Sequence, residues 1–388
     1  YSADWQNRRQ KVQVNVLKKE KDSEKVLSGA IFGLFAAEDI VSASGKILIE
    51  KDTIIELKTT DESGWIHFMA DLPISAKYYL KEIYAPNGYV RGTETQEFTF
   101  EYQGDKTTQA VYEFTFEDVQ TSVELSKADL TDGKELPGAS LQVLDSNGTV
   151  VEEWISTDEP HLIRGLLVGE TYTMVETKPA DGYTTAESIE FKVEDTAEVQ
   201  KHQMLDDVTK VEISKTDVTD SKEVPGAKLT ILDKDGKVVE SWVSKKDPHM
   251  VEKLPVGTYT LREEQAPDGY LVAEEVSFEV KDTGEIQKVE MKDARPVGKL
   301  VLKKTDAEDG SPLAGAEFEL RIKKSGKVVA TLVTDEEGVA TSGDIPIASY
   351  KDGKMKKEIE YILVETKAPD GYVRSEKEES IVFTYQDD

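Results

Sequence analysis

The segment Tyr-Thr-Leu-Arg-Glu-Glu-Gln-Ala-Pro-Asp-Gly-Tyr, residues 259–270, is one of four related copies in this chain of 388 residues. Alternating apolar residues followed by Pro-Asp-Gly predict a β-strand that ends in a tight turn. Side chains on a strand alternate between its two faces, so Tyr259, Leu261 and Glu263 share one face. A glutamate therefore stands where the pattern calls for an apolar core residue. The same arrangement recurs at Tyr78, Leu80 and Glu82, at Tyr172, Met174 and Glu176, and at Tyr361, Leu363 and Glu365.

A lysine occupies a comparable position at the start of each repeat. The Leu-Pro-Gly-Ala turn at 136–139 has related turns at 27–30, 224–227 and 313–316. Nine residues before each turn, a lysine ends an alternating strand; Lys18, for example, shares a face with Val14 and Val16. These lysines are therefore predicted to point inward with the apolar residues. They are Lys18, Lys127, Lys215 and Lys304.

An aspartate shows the same pattern in the last strand of three repeats. Asp118 shares a strand face with Phe114 and Phe116, and the equivalent residues of the next two repeats are Asp206 and Asp293. In the fourth repeat, the alignment reaches Asp388 before the strand that would carry this residue. We therefore expect the fourth repeat to lack its last strand, and Lys304 to have no aspartate partner in this chain.

The alternation indicates an all-β protein built from tandem domains. Short, evenly spaced strands and Asp-Gly turns predict four Ig-like Greek-key β-sandwiches, and the short linkers predict an elongated rod. Extra residues in the first and fourth repeats, around 40–60 and 341–357, predict inserted loops or an added hairpin. The predicted segments are a linker or upstream tail at 1–10 and domains at 11–120, 121–208, 209–296 and 297–388.

Composition narrows the function classes. A net charge of −29 disfavours nucleic acid and anionic membrane surfaces as partners. The absence of cysteine excludes disulfides, thiolate metal sites and a catalytic cysteine. No apolar run is long enough to cross a bilayer. The chain shows neither a signal peptide nor a sorting signal, so we read it as an interior piece of a longer protein.

Other candidate sites are weaker. The aspartate-rich turns at 129–132, 217–220 and 233–236 lack a complete calcium loop. His161 and His249 follow prolines at equivalent places, and we interpret them as loop packing rather than metal ligands. The sequence therefore predicts neither a metal nor a cofactor.

The recurring lysine, glutamate and aspartate raise a problem of buried charge. An unpaired buried charge is very costly, and one lysine with two carboxylates leaves an excess negative charge unless a proton is retained. One solution is a buried salt-bridge triad, although its desolvation cost often exceeds the attraction. The other is an amide bond between the lysine amine and the aspartate carboxyl, with the glutamate as proton shuttle. We favour the covalent interpretation for the second and third repeats.

The Lys–Glu–Asp set, the Leu-Pro-Gly-Ala turn and the Glu-x-x-Ala-Pro-Asp-Gly-Tyr segment resemble the CnaB-type (SpaA-type) domains of Gram-positive surface adhesins and pilins. The resemblance implies an intramolecular isopeptide bond from lysine to Asn or Asp, assisted by glutamate. All three acceptors here are Asp, so water rather than ammonia would leave. The second repeat departs from the turn pattern at Lys178-Pro179-Ala180. The implied sets are Lys18–Asp118 with Glu82, Lys127–Asp206 with Glu176, and Lys215–Asp293 with Glu263, while Glu365 stands beside the unpaired Lys304.

The resemblance also implies a function. It predicts a non-enzymatic structural stalk of an adhesin on the bacterial cell surface, which presents a distal binding domain. Flanking regions would attach this stalk to the cell wall. Three alternatives stay open: a pilin shaft subunit, a module that binds a host protein or glycan through the longer loops of the first or fourth repeat, and accessory domains beside a catalytic domain.

Overall fold

The computed structural model describes residues 5–351 and 354–383, and every regular element in them is a β-strand. The all-β prediction is confirmed. The first four residues of the predicted tail and residues 384–388 of the fourth predicted domain lie outside the described residues. The chain divides into two compact units, Tyr1–Ala180 with Thr184–Asp207, and Asp181–Tyr183 with Val208–Asp388. The described residues contain no helix of the length and apolarity needed to span a membrane.

The first domain is a sandwich of two sheets around one apolar core. Its strands are β1 (Lys11–Glu20), β2 (Ile31–Ala36), β3 (Ile40–Val41), β4 (Ile47–Ile49), β5 (Ile54–Thr59), β6 (Trp65–Phe68), β7 (Lys77–Tyr84), β8 (Thr95–Thr99) and β9 (Gln109–Asp118). The sheet β6-β1-β9 pairs β1 and β9 in parallel, and the sheet β5-β2-β7-β8 is antiparallel. Alternating apolar residues of both sheets, such as Val16 and Tyr78, fill the core. The predicted insertion contains the hairpin β3–β4.

The second domain repeats this plan without the extra hairpin. Its strands are β10 (Ser122–Asp129), β11 (Ser140–Leu144), β12 (Val150–Ile155), β13 (His161–Arg164), β14 (Thr171–Lys178), β15 (Ile189–Lys192) and β16 (Gln200–Asp206). They form the sheets β13-β10-β16 and β12-β11-β14-β15. One of the predicted turns, Asp145-Ser-Asn-Gly148, joins β11 to β12 as a hairpin: Asp145 Oδ1 accepts backbone N–H groups at 2.9 and 2.8 Å, and Gly148 adopts a φ of 79°.

The third domain, in the second unit, has the same arrangement. Its strands are β17 (Lys210–Asp217), β18 (Lys228–Leu232), β19 (Val238–Val243), β20 (His249–Glu252), β21 (Gly257–Gln265), β22 (Val276–Val280) and β23 (Ile286–Asp293). The sheets are β20-β17-β23 and β19-β18-β21-β22. Leu229 and Leu261 of one sheet pack against Ile213 and Met291 of the other.

The fourth domain has one complete sheet and one reduced sheet. Its strands are β24 (Val297–Gly298), β25 (Val301–Lys303), β26 (Glu317–Ile322), β27 (Val328–Val333), β28 (Val339–Thr341), β29 (Ile345–Pro346), β30 (Ala348–Lys351), β31 (Lys354–Glu358), β32 (Glu360–Lys367) and β33 (Glu378–Val382). The sheet β27-β26-β32-β33 matches its counterparts, but β25 pairs only with β28 within residues 5–351 and 354–383. The parallel partner that β1, β10 and β17 each have is absent there. The second predicted insertion contains the hairpin β30–β31.

Within the first unit, the junction between its two domains is closely packed. Thr121 is fully buried; its N–H donates to the Gly88 carbonyl at 3.0 Å, and its hydroxyl donates to the Leu166 carbonyl at 2.7 Å. A Cβ at Gly88 would lie 2.6 Å from the Gly165 carbonyl oxygen, so this position requires glycine. The short linker is therefore held by hydrogen bonds to both domains.

Candidate functional site

The parallel pairing of the first and last strands brings each lysine near its aspartate. In the second domain, Lys127 is directly opposite Met204, and Asp206 lies two residues further along the same strand. Residues two apart on a strand point to the same face, so a long lysine side chain reaches its diagonal neighbour. The same offset relates Lys18 to Asp118, through Phe116, and Lys215 to Asp293, through Met291.

The glutamate approaches from the opposite sheet. Glu176 on β14 pairs with Leu141 on β11, next to a shift in register between Ser140 and Leu141. Such a bulge changes the direction of nearby side chains, and here the glutamate points into the core. The equivalent pairs, each beside the same irregularity, are Glu82 with Phe32, Glu263 with Leu229, and Glu365 with Phe318.

In the first domain these side chains form a fully enclosed cluster. The side chains of Lys18, Glu82 and Asp118 have no exposed surface. Lys18 Nζ contacts Asp118 Oδ1 and lies 3.0 Å from Glu82 Oε1. The lysine amine therefore contacts both carboxyls in an enclosed space.

The second and third domains contain the same cluster. Lys127 Nζ contacts Asp206 Oδ1 and lies 3.0 Å from Glu176 Oε1. Lys215 Nζ contacts Asp293 Oδ1 and lies 3.3 Å from Glu263 Oε1. In all three clusters, the second aspartate oxygen is buried and has no hydrogen-bond partner among the described residues. A buried polar atom without a partner is unusual in a folded protein and marks the cluster as functional or strained.

Burial also changes the acidity of these carboxyls. Burial raises the pKa of Glu82 to about 7, although Lys18 acts in the opposite direction. It likewise raises the pKa of Asp206 to about 7 and that of Asp293 to about 6, and the pKa of Asp118 is also raised. Each cluster can therefore retain a carboxyl proton close to neutral pH, which relieves the excess negative charge.

A backbone N–H that the sequence pattern did not predict donates a hydrogen bond to each glutamate. Glu82 Oε2 accepts the N–H of Gly92 at 2.8 Å, which leaves Oε1 toward the lysine. A Cβ at Gly92 would lie 3.1 Å from Glu82 Oε2, so the backbone passes directly over the cluster. The constant spacing of ten residues from the glutamate could have revealed these donors. The others are Ala186 to Glu176 at 2.6 Å, Ala273 to Glu263 at 2.6 Å and Ser375 to Glu365 at 2.7 Å.

The fourth domain contains only part of the cluster. Lys304 Nζ lies 3.1 Å from Glu365 Oε1, but the lysine side chain is 22% exposed. Within the described ranges, no aspartate forms an ion pair with Lys304. The structure thus places this lysine and glutamate together, beside the edge of β25 that has no parallel partner among the described residues.

The other candidates have structural explanations. His161 and His249 begin strands β13 and β20, so their predicted location in loops is wrong. Their rings stack on Trp154 and Trp242 with centroids 4.4 Å apart. Asp217 Oδ1 accepts the N–H of Thr219 at 2.7 Å, as expected for a turn residue. Among the described residues, no group of three or more His, Cys, Asp or Glu side chains is arranged to hold a metal.

A family model matches most of the chain. The family model described as SpaA, prealbumin-like fold domain, matches residues 12–113, 121–207, 209–295 and 298–388. The chain is similar to the Bacillus anthracis TIE protein, with 27% identity and a TM-score of 0.41; the match covers 74% of this chain and 51% of that one. The chain thus spans about half the length of that protein.

Two pilin structures are also similar. BcpA, the major pilin subunit of Bacillus cereus, is 17% identical with a TM-score of 0.34, and the match covers 74% of this chain and 100% of that one. The streptococcal ancillary pilin is 17% identical with a TM-score of 0.32, and the match covers 73% of this chain and 99% of that one. A search of curated proteins found no match.

Proposed function

The chain belongs to the family of SpaA prealbumin-like fold domains, and from this premise we propose that it is a structural stalk of a bacterial cell-surface adhesin. In this proposal, isopeptide bonds stabilise the first three domains, and the stalk presents a binding domain carried elsewhere in the protein. Flanking regions attach it to the cell wall. The protein acts outside the cell and is not an enzyme, because each condensation occurs only once.

The observation that supports the proposal is the enclosed lysine between two carboxyls in each of three domains. The Nζ atom attacks the aspartate Cγ; a C–N bond forms, a C–O bond breaks and water leaves. An ammonium–carboxylate pair has the same number of protons as an amine–carboxylic acid pair, so condensation needs no external proton. The glutamate only has to move protons between the amine and the leaving oxygen.

The location of the bond suits a protein under tension. Lys18 lies near the end of β1, and Asp118 is the last residue of its parallel neighbour β9. Force that enters along β1 and leaves after β9 would pass through the Lys18–Asp118 bond. The residues between them would then bear little load, and the rest of the sandwich would stay folded.

The direct test is an accurate intact mass of the purified chain. We expect a mass lower than that of the sequence by three waters, one for each complete cluster. Tandem mass spectrometry should locate the branched peptides at Lys18–Asp118, Lys127–Asp206 and Lys215–Asp293. A mass equal to the full sequence value would refute the covalent proposal and leave three buried salt bridges.

Lys304 provides the internal comparison. We expect its amine to remain free, because no aspartate meets it among the described residues and its side chain is partly exposed. An amine-reactive ester applied to the folded chain should therefore label Lys304 and spare Lys18, Lys127 and Lys215. A branched peptide that contains Lys304 would show that our alignment of the final strands is wrong.

A further inference from the structure

The fourth domain carries a positive cluster on an otherwise acidic chain. The turn between β26 and β27, residues 323–327, reads Lys-Lys-Ser-Gly-Lys. The equivalent turns read Asp-Ser-Asn-Gly-Thr at 145–149 and Asp-Lys-Asp-Gly-Lys at 233–237. The aspartate that opens the turn in the second and third domains is thus replaced by lysine. This change reverses the local charge in a protein whose net charge is −29.

The inserted hairpin β30–β31 adds more lysines at the same place. Lys354, Lys356 and Lys357 are exposed on β31, and Lys351 on β30 lies directly opposite Lys354. Like charges in directly opposite positions destabilise a strand pair. Within residues 5–351 and 354–383, none of these four lysines forms an ion pair. An anion bound beside these lysines would reduce their mutual repulsion.

A cavity joins the turn and the hairpin. Its volume is about 750 Å³, and Lys324 and Lys357 line it together with Ile322 and Ile359. Two carboxylates also line it, Glu358 and Glu360, and Lys323 neutralises Glu360 at 2.6 Å. Lys351, Lys354 and Lys356 are not among the lining residues, but they add three exposed positive charges to the hairpin that carries Lys357. A cavity lined by aliphatic side chains and lysines suits a sugar ring that carries anionic groups.

We propose that the 323–327 turn and the β30–β31 hairpin form a binding site for a sulfated or phosphorylated polysaccharide. The strand β31 has five residues, or roughly 16 Å at about 3.3 Å per residue, which matches a few sugar units. Lysine-rich segments of this kind bind polyanions through their charge. The acidic remainder of the chain repels any polyanion, so only a short anionic segment of the ligand would be held at this site. This site does not depend on the isopeptide bonds.

The test uses the full chain and three labelled probes of equal charge: a heparin oligosaccharide, a poly(glycerol phosphate) chain and single-stranded DNA. The test variant is Lys324→Glu/Lys356→Glu/Lys357→Glu, all exposed positions. The matched control, Lys234→Glu/Lys237→Glu/Lys245→Glu, makes the same charge change at exposed positions of the third domain. Fluorescence anisotropy over a range of salt concentrations measures binding.

We expect the wild type to bind at least one of the two probes other than DNA. Binding of the heparin oligosaccharide would indicate a sulfated ligand, and binding of poly(glycerol phosphate) would indicate a phosphorylated one. The test variant should bind about tenfold or more weakly. The slope of the logarithm of the binding constant against the logarithm of the salt concentration should become less steep by about three, roughly one for each lysine removed. The control should stay within about twofold, because distant charges are screened. Absence of polysaccharide binding, equal loss in the control, or tighter binding of DNA would overturn the proposal. Intact mass of the same samples reports the crosslinks separately.

Discussion

Replacing Lys215 by alanine should lower the melting temperature of the third domain by roughly 20 °C or more. In the proposed crosslinked state, the bond closes a loop of 78 residues between Lys215 and Asp293. A crosslink of this span stabilises a domain by about 4–5 kcal/mol according to loop entropy. The variant also leaves two buried carboxyls, Asp293 and Glu263, without their cation, which adds to the loss.

The Lys215→Ala variant should also acquire a specific pH dependence. Burial raises the pKa of Asp293 above its unfolded value, and removing the lysine eliminates the interaction that opposes this shift. Between the unfolded pKa and the raised folded pKa, the native state binds more protons than the unfolded state, so stability falls as pH rises. The variant should therefore melt at a higher temperature at pH 5 than at pH 8. In the proposed crosslinked wild type, an amide replaces this carboxyl, so the melting temperature should depend less on pH.

Two companion variants separate the loss of the crosslink from the loss of the buried cation. Asp293→Ala also prevents the bond but keeps the Lys215–Glu263 ion pair, so its loss should be smaller than that of Lys215→Ala. Lys222→Ala removes an exposed lysine of the same domain and should change stability by less than about 0.5 kcal/mol. Differential scanning calorimetry gives all three values. If Lys215→Ala melts at the wild-type temperature, the cluster does not stabilise this domain.

Replacing Glu176 by glutamine should abolish the crosslink of the second domain while leaving the packing nearly intact. Glutamine has almost the same shape and can still accept the Ala186 N–H that now binds Glu176 Oε2 at 2.6 Å. However, it cannot exchange a proton with Lys127 or Asp206. The intact mass of the variant should exceed that of the corresponding fully crosslinked chain by one water. The branched peptide Lys127–Asp206 should be missing from its digest.

The other clusters serve as internal controls for this variant. The Lys18–Asp118 and Lys215–Asp293 bonds should still form, because each cluster has its own glutamate. Glu190→Gln, at an exposed position of β15, should leave all three bonds unchanged. Complete crosslinking in Glu176→Gln would show that proximity of lysine and aspartate is sufficient and that the glutamate only packs.

The local pattern of the sequence determined the fold class and the composition of the site. Alternation with a period of two places a side chain on a strand face wherever the strand lies, so residues such as Val16 and Lys18 could be assigned to the core from the sequence. The same pattern recurs in the second and third repeats, so the burial of Lys127 and Lys215 could be predicted in the same way. Their chemical role remains a prediction that mass spectrometry can test.

Only the tertiary structure decided how these residues meet. Lys127 and Asp206 meet because their strands, about 80 residues apart in the chain, pair with a two-residue diagonal offset. A shift of the pairing by two residues would leave the same side chains on the same face, so local alternation cannot determine this offset. The bulge beside Leu141 and the N–H of Ala186 likewise arise from pairing between distant segments. The packing energy of the whole sandwich selects one register, and that energy is absent from any short stretch of sequence.

Pairing between distant segments also decided the structure of the insertion in the fourth domain. The sequence showed extra residues near 341–357, but it left open whether they form a loop or a hairpin. Folding pairs them as β30–β31 and places Lys357 on the same cavity as Lys324, which is more than 30 residues away in the chain. Charge can be counted along a sequence, whereas its concentration at one surface is decided by long-range contacts.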